Sequence, residues 1–135
     1  MFRYHQPVSF KHCDPAGIVF YPRYFEMIND CIETFFSAVA EWSFVEIHKD
    51  GAVPTAEIRT RFVKPSRLGD HLVLSLAVTH TGRTSLGLTI DCACGEETRF
   101  ETEQTLVNID AAGKPTPWPD EVKEKLQQFK ERLDP

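Results

Sequence analysis

Pro22-Arg23-Tyr24-Phe25-Glu26-Met27-Ile28-Asn29-Asp30-Cys31-Ile32-Glu33-Thr34-Phe35-Phe36-Ser37-Ala38-Val39-Ala40 has the period of a helix. Phe25, Ile28, Ile32, Phe35 and Val39 recur at i, i+3, i+7, i+10 and i+14. Tyr24, Met27, Cys31 and Phe36 widen that apolar stripe, and Glu26, Asp30, Glu33 and Ser37 cover the other side. Pro22 suits a first helical turn, where its missing N–H is no loss. A stripe this wide predicts a helix wrapped by a curved sheet rather than one resting on a flat surface.

Upstream, residues 2–10 place Phe2, Tyr4, Val8 and Phe10 on one alternating face, a strand that Pro7 confines to an edge or a bulge. Downstream, residues 41–50 read as a second short helix ended by Gly51. The period then changes to two. Ala56, Ile58, Thr60 and Phe62 alternate with Glu57, Arg59 and Arg61. Leu72, Leu74, Leu76 and Val78 repeat the pattern, as do Leu86, Leu88, Ile90 and Cys92. Three half-buried strands are predicted. A fourth covers residues 99–110, with a bulge expected where the apolar phase moves from Phe100 to Val107 and Ile109. Hairpin connections fall at Gly82 and Gly95, and a longer turn runs from Lys64 to Asp70. After Pro115, Pro117 and Pro119 a closing helix is expected over residues 120–133, with Val122, Leu126, Phe129 and Leu133 along one side. The order is β-α-β-β-β-β-α. It predicts an α+β layer structure, one antiparallel sheet curled around one long central helix.

At 135 residues the whole chain, 1–135, is expected to be a single domain. A core of this size is modest, so a catalytic site is expected to draw on a second subunit. Fifteen basic against twenty acidic residues leave a net charge of −5, which disfavours a phosphate-rich nucleic-acid partner. No run approaches the roughly 18 apolar residues of a membrane helix, so no membrane role is expected. The first residues lack the pattern of a secretory signal. Cys13, Cys31, Cys92 and Cys94 are therefore read as reduced thiols of a cytoplasmic protein, with no metal site expected.

The chemistry concentrates in His12-Cys13-Asp14-Pro15-Ala16-Gly17-Ile18-Val19-Phe20-Tyr21-Pro22. Asp14-Pro15-Ala16-Gly17 has the composition of a type I turn, in which Asp14 would simply accept backbone hydrogen bonds. The same carboxylate stands beside an apolar run and a helix start. Unpaired N–H groups there can stabilise a carbonyl oxygen that gains charge. One carboxylate with one such donor is a minimal acyl-transfer site. Cys13 has no specified His partner, and His12 with Asp14 makes only two metal ligands. His5, His48, His71 and His80 carry no motif.

The run from Asp14 to Pro22 followed by Tyr24, then Phe62 with Pro65-Ser66-Arg67-Leu68-Gly69-Asp70, then Gly82-Arg83-Thr84-Ser85, resembles the hotdog-fold thioesterases of the 4-hydroxybenzoyl-CoA type, which use an Asp active site. The resemblance covers nearly the whole chain in element order. It implies a sheet folded around a central helix and hydrolysis of an aromatic or short-to-medium acyl-CoA. Asp14 falls on the catalytic carboxylate, as nucleophile or general base. Tyr21 falls on the residue whose backbone N–H polarises the thioester carbonyl, and Gly17 on a point of close approach. Arg83 at a hairpin tip, with Lys64 and Arg67, would meet coenzyme A phosphates. Asn29, two turns along the helix, would meet the acyl group; being uncharged, it does not specify a hydroxybenzoyl ring. Coenzyme A enters as substrate, with no separate cofactor. The resemblance also implies homodimers pairing into tetramers. A hotdog-fold enoyl-CoA hydratase or dehydratase, or a non-catalytic acyl-CoA binding protein, would keep the same scaffold.

Overall fold

The computed structural model describes residues 1–132. Strand β1 (Phe2–Pro7) leads through a 3₁₀ turn (Phe10–His12) to helix α1 (Tyr21–Ala38). Helix α2 (Phe44–Ile47) and strand β2 (Gly51–Ala52) follow. Then come β3 (Thr55–Phe62), β4 (His71–Thr81), β5 (Ser85–Cys94), β6 (Glu97–Val107), β7 (Ile109–Asp110) and helix α3 (Asp120–Glu131). The main sheet is antiparallel with strand order β1-β4-β5-β6-β3, and β2 pairs with β7 apart from it. No helix among the described residues is long and apolar enough to cross a membrane.

The long helix forms where its period predicts, one residue earlier than expected, with Phe20 as its N-cap. It buries Tyr24, Met27, Ile28, Cys31, Ile32, Phe35 and Phe36 against the inward face of the sheet. That face is built by Leu72, Leu74, Leu76, Leu86, Leu88, Ile90 and Cys92, all fully buried. Two β-strand periods and one helical period thus converge on one core. Helix α3 shares the cover: Val122, Leu126 and Phe129 join the core, and the Phe129 ring lies 5.1 Å from Phe35. The sheet therefore has two helices on its face rather than the one expected. Leu133 lies outside the described residues.

Several expectations are corrected. The first strand ends at Pro7, whose ring removes the ladder donor, and Phe10 stands 82% exposed instead of continuing the buried face. The second helix shrinks to four residues, capped by the Ser43 hydroxyl accepting from the Glu46 N–H, and Gly51 begins β2 instead of ending the helix. Strand β3 is not half-buried: it is the sheet edge, and Ile58 and Phe62 remain 38% and 45% exposed. In β6 the inward phase does not switch. Phe100, Thr102, Gln104, Leu106 and then Asn108 all face inward, three of them polar, so the pattern was hidden by composition. The bulge expected in this strand is present, but at its start: Cys92 pairs Phe100 and Ala93 pairs Thr98, so Arg99 is the extra residue, and further register shifts lie at Thr55/Glu57 and Val78/His80.

Candidate active site

The segment between β1 and α1 folds on itself as a short two-stranded arm. Cys13 bridges Val19, and the Asp14 N–H donates to the Ile18 carbonyl at 2.9 Å. Asp14-Pro15-Ala16-Gly17 closes the arm as a turn, with the Gly17 N–H donating to the Asp14 carbonyl at 2.9 Å. Gly17 has φ of +81°, which explains glycine there; no protein atom lies within 4 Å of where a Cβ would stand. The half-buried Asp14 carboxylate accepts the Ala16 N–H on Oδ1 at 2.9 Å. The turn thus uses one oxygen and holds the group still, and the second oxygen has no hydrogen-bond partner among the described residues.

The arm delivers the chain to the start of α1. Tyr21 is the first helical residue, Pro22 the second, and the Arg23 N–H turns back to the Phe20 carbonyl at 2.8 Å. A first turn leaves its N–H groups without i−4 acceptors. Pro22 has none to offer and Arg23 is engaged, so the Tyr21 N–H is the donor left at the positive end of the helix dipole. Beside it opens a cavity of about 470 Å³ lined by Ile18, Tyr21, Tyr24, Phe62, Val63 and Lys64 among others. Its wall is aromatic: Tyr24 stacks on Phe62 with centroids 5.7 Å apart and leans on Phe100 at 5.0 Å. Asp14 does not line this cavity directly; its hydrogen-bonded neighbour Ile18 does.

The loop after β3 props the arm from below. The Val19 N–H donates to the Ser66 carbonyl at 2.8 Å, and Ile18 bridges Arg67. That loop is in turn held by Arg99, which the sequence reading did not single out. Its guanidinium, almost fully buried, donates to the Asp70 carboxylate at 2.7 Å, to Ser66 Oγ at 3.0 Å and to the Pro65 carbonyl at 3.2 Å, with Glu97 at 2.8 Å from Nε. The Arg99 hydrogen bond, then the Arg67 N–H, hold the Asp70 carboxyl below its ordinary value. The available signal was Asp70 closing the Pro65–Asp70 motif, an acid without an evident partner.

The other sequence candidates divide by place. Lys64 and the exposed Arg67 lie near the arm, Lys64 in an ion pair with Glu97 at 3.3 Å. Asn29 is exposed on α1 and lines a second cavity, not the first. Arg83 sits on the β4–β5 connection, at the far end of an 11-residue strand from Asp70 and the arm. At about 3.3 Å per residue that is roughly 33 Å, so one subunit does not bring Arg83 to Asp14. Cys13 is half-buried with its thiol 3.7 Å from the Ser9 carbonyl. His12 is buried, accepts the Ser9 N–H on Nδ1 at 2.8 Å, and is made less basic by burial.

Comparison with known proteins adds an independent line. A family model described as the thioesterase-like superfamily matches residues 8–126. Among curated proteins no sequence matches. Among solved structures, the chain is similar to a 1,4-dihydroxy-2-naphthoyl-CoA thioesterase from Synechocystis, at 20% identity over 97% of this chain and 98% of that one, TM-score 0.88. It is similar to a gentisyl-coenzyme A thioesterase at 23% identity, covering 92% and 98% of the two chains, TM-score 0.84. It is also similar to a hypothetical protein from Staphylococcus aureus in complex with CoA, at 15% identity over 99% and 86%, TM-score 0.92.

Proposed function

The chain belongs to the thioesterase-like superfamily and has its hotdog fold, and on that premise we propose that it hydrolyses an acyl-CoA thioester to the free acid and coenzyme A. The observation that carries this reading is the junction of arm and helix. A carboxylate already oriented through one oxygen stands one hydrogen-bonded neighbour, Ile18, away from an apolar cavity that Tyr21, the helix-start residue with an N–H lacking an intrahelical acceptor, also lines. Asp14 acts through its second oxygen, either on water or directly on the thioester carbon. The carbonyl oxygen gains negative charge in either route, and the Tyr21 N–H donates to it at the positive end of α1. The thiolate of coenzyme A leaves without needing a strong acid. Gly17 keeps the turn beside Asp14 free of a side chain.

The site is shared between two subunits. Strand β3 is an edge of the main sheet, paired only with β6, and its free side is a template for a partner strand. Antiparallel pairing of two β3 edges about a two-fold axis sets Phe62 of one copy against the Thr55 end of the other. The Thr55 end is the end that carries Arg83, since Thr55 pairs Leu106 and Leu106 pairs Leu86. Arg83 of the partner subunit then approaches the arm, where Lys64 and Arg67 add positive charge for coenzyme A phosphates. Pairing of two such dimers into a tetramer leaves this seam intact.

Release of free thiol from benzoyl-, hydroxybenzoyl-, phenylacetyl- and straight-chain acyl-CoAs tests the reading. Turnover of at least one is expected, with Asp14→Asn lowering kcat by about 10²–10⁴ and leaving KM near its original value. Full rate in that variant on every active substrate removes Asp14 from the chemistry.

A further inference from the structure

Strand β1 and the start of β4 bring together two histidines that stand 66 residues apart in the sequence. The register sets His5 opposite Val73 and Pro7 opposite His71. The two rings are therefore diagonal neighbours on the outward face of the sheet, opposite to the face that buries Leu72 and Leu74. His5 Nδ1 lies 3.0 Å from His71 Nε2, with ring centroids 5.3 Å apart and planes tilted by 50°. Both side chains are exposed. One of the two facing nitrogens carries the proton that they share, and the other accepts it. A hydrogen bond between exposed groups gains little over the bonds that water offers.

We propose that His5 and His71 form a binding site for a divalent transition-metal ion of the Zn²⁺, Ni²⁺ and Cu²⁺ class, which clasps strand β1 to β4. Two imidazole nitrogens bound to one such ion at about 2.0–2.1 Å stand about 2.9 Å apart at a right angle and about 3.3 Å apart at the tetrahedral angle. The 3.0 Å found here falls between the two, so the ion enters with little movement of either ring. The shared proton moves to the other nitrogen of its own ring. Both facing nitrogens then hold a lone pair, and both rings stay neutral. Imidazole selects against Mg²⁺ and Ca²⁺, which take oxygen ligands. No cluster of three or more metal-ligating side chains exists among the described residues, so water completes the coordination. Both ligands sit on paired backbone rather than on loops, which fixes their spacing. The place links the site to the arm. Asp70 precedes His71, and its carbonyl accepts the Val8 N–H at 2.8 Å, just after β1. The clasp therefore lies at the root of the segment that carries Asp14, at the opposite edge of the sheet from β3.

The test titrates tag-free protein at mildly alkaline pH with zinc, nickel or magnesium chloride in a calorimeter, and follows the histidine ring signals by NMR as Ni²⁺ is added. One Zn²⁺ or Ni²⁺ per chain is expected, with the His5 and His71 signals the first to broaden and no binding of Mg²⁺. His5→Gln and His71→Gln are each expected to weaken binding by about tenfold or more, since loss of a ligand costs no less than loss of a group that only orients one. The double variant is expected to be little weaker than either single one, the mark of one ion held by both rings. His48→Gln and His80→Gln are expected to leave the affinity unchanged. All four histidines are exposed, so their variants keep the fold. Saturating Zn²⁺ is expected to raise the urea midpoint of the wild type and not that of the double variant, because only the folded chain brings the two rings together. Binding that survives both single substitutions, or Ni²⁺ broadening centred on Cys13, Cys94 or another histidine, overturns the assignment. Losses that simply add in the double variant do so too, because they describe two separate weak sites.

Discussion

Asp14 belongs to a turn and to a candidate site at once, and the two roles are compatible. The turn engages Oδ1 and leaves Oδ2 without a partner among the described residues, so the local hydrogen bond is what aims the carboxylate. Pro22 acts similarly by subtraction. It removes one amide from the first turn and leaves Tyr21 as the donor. The cysteines show how burial sorts identical side chains. Cys31 and Cys92 lie in the core, where burial pushes both thiols up to about 12. Cys13 and Cys94 are only half-buried. Since the thiolate is the reactive form, mass spectrometry after brief alkylation of the native protein at pH 8 is expected to find label on Cys13 and Cys94. Cys31 and Cys92 are expected to react only after denaturation.

Between elements, the decisive device is the stack of arm on loop on Arg99. The arm has few core contacts of its own. It is registered by the Val19–Ser66 hydrogen bond and the Ile18–Arg67 bridge, and that loop is tied down by one guanidinium. Arg99→Met leaves Asp70 and Ser66 without their partner. It is expected to cost roughly 3 kcal/mol in urea unfolding, the scale of breaking a buried charge pair. Asp70 adds a pH signature. Its folded pKa lies below the ordinary 3.8, chiefly through the Arg99 hydrogen bond, so the fold prefers the ionised form. Its contribution is full above that ordinary value and is lost as pH falls through the lower folded value. The stability gap between wild type and Asp70→Asn, followed by urea midpoints, is therefore expected to hold near neutrality and to close on acidification below about pH 4. A gap that persists at low pH assigns the effect to packing instead.

At the scale of the molecule, the β3 edge carries the functional consequence. One subunit holds Asp14 and Arg83 at opposite ends of its sheet, so a composite site predicts complementation. Asp14→Asn and Arg83→Glu are each expected to be impaired alone. Refolded together in equal amounts, half of the dimers are mixed, and each mixed dimer has one intact site. Recovery of about a quarter of wild-type activity is expected from that two-fold arithmetic. No recovery, with mixed dimers demonstrated by mass spectrometry, places both residues in one subunit's site.

The α+β order, the helix of residues 21–38, the inward faces of β4 and β5 and the Asp14 turn were all legible in the sequence, because each depends on local periodicity or turn chemistry. Periodicity records which residues share a face but not whether that face is covered. Hence β3, alternating like its neighbours, became an exposed edge, and β6 kept its phase through Thr102 and Gln104, whose polarity concealed it. The partners of these groups are distant in sequence. Thr60 meets Thr102, Thr55 meets Gln104, and Arg99 meets Asp70 and Ser66. Such pairings exist only once strand order is set, and strand order is a property of the packed sheet. The sequence by itself determined the scaffold and the Asp14 turn. The tertiary structure decided what supports that turn, which edge is left open and which two histidines stand face to face, because each depends on contacts between segments that local preference does not bring together.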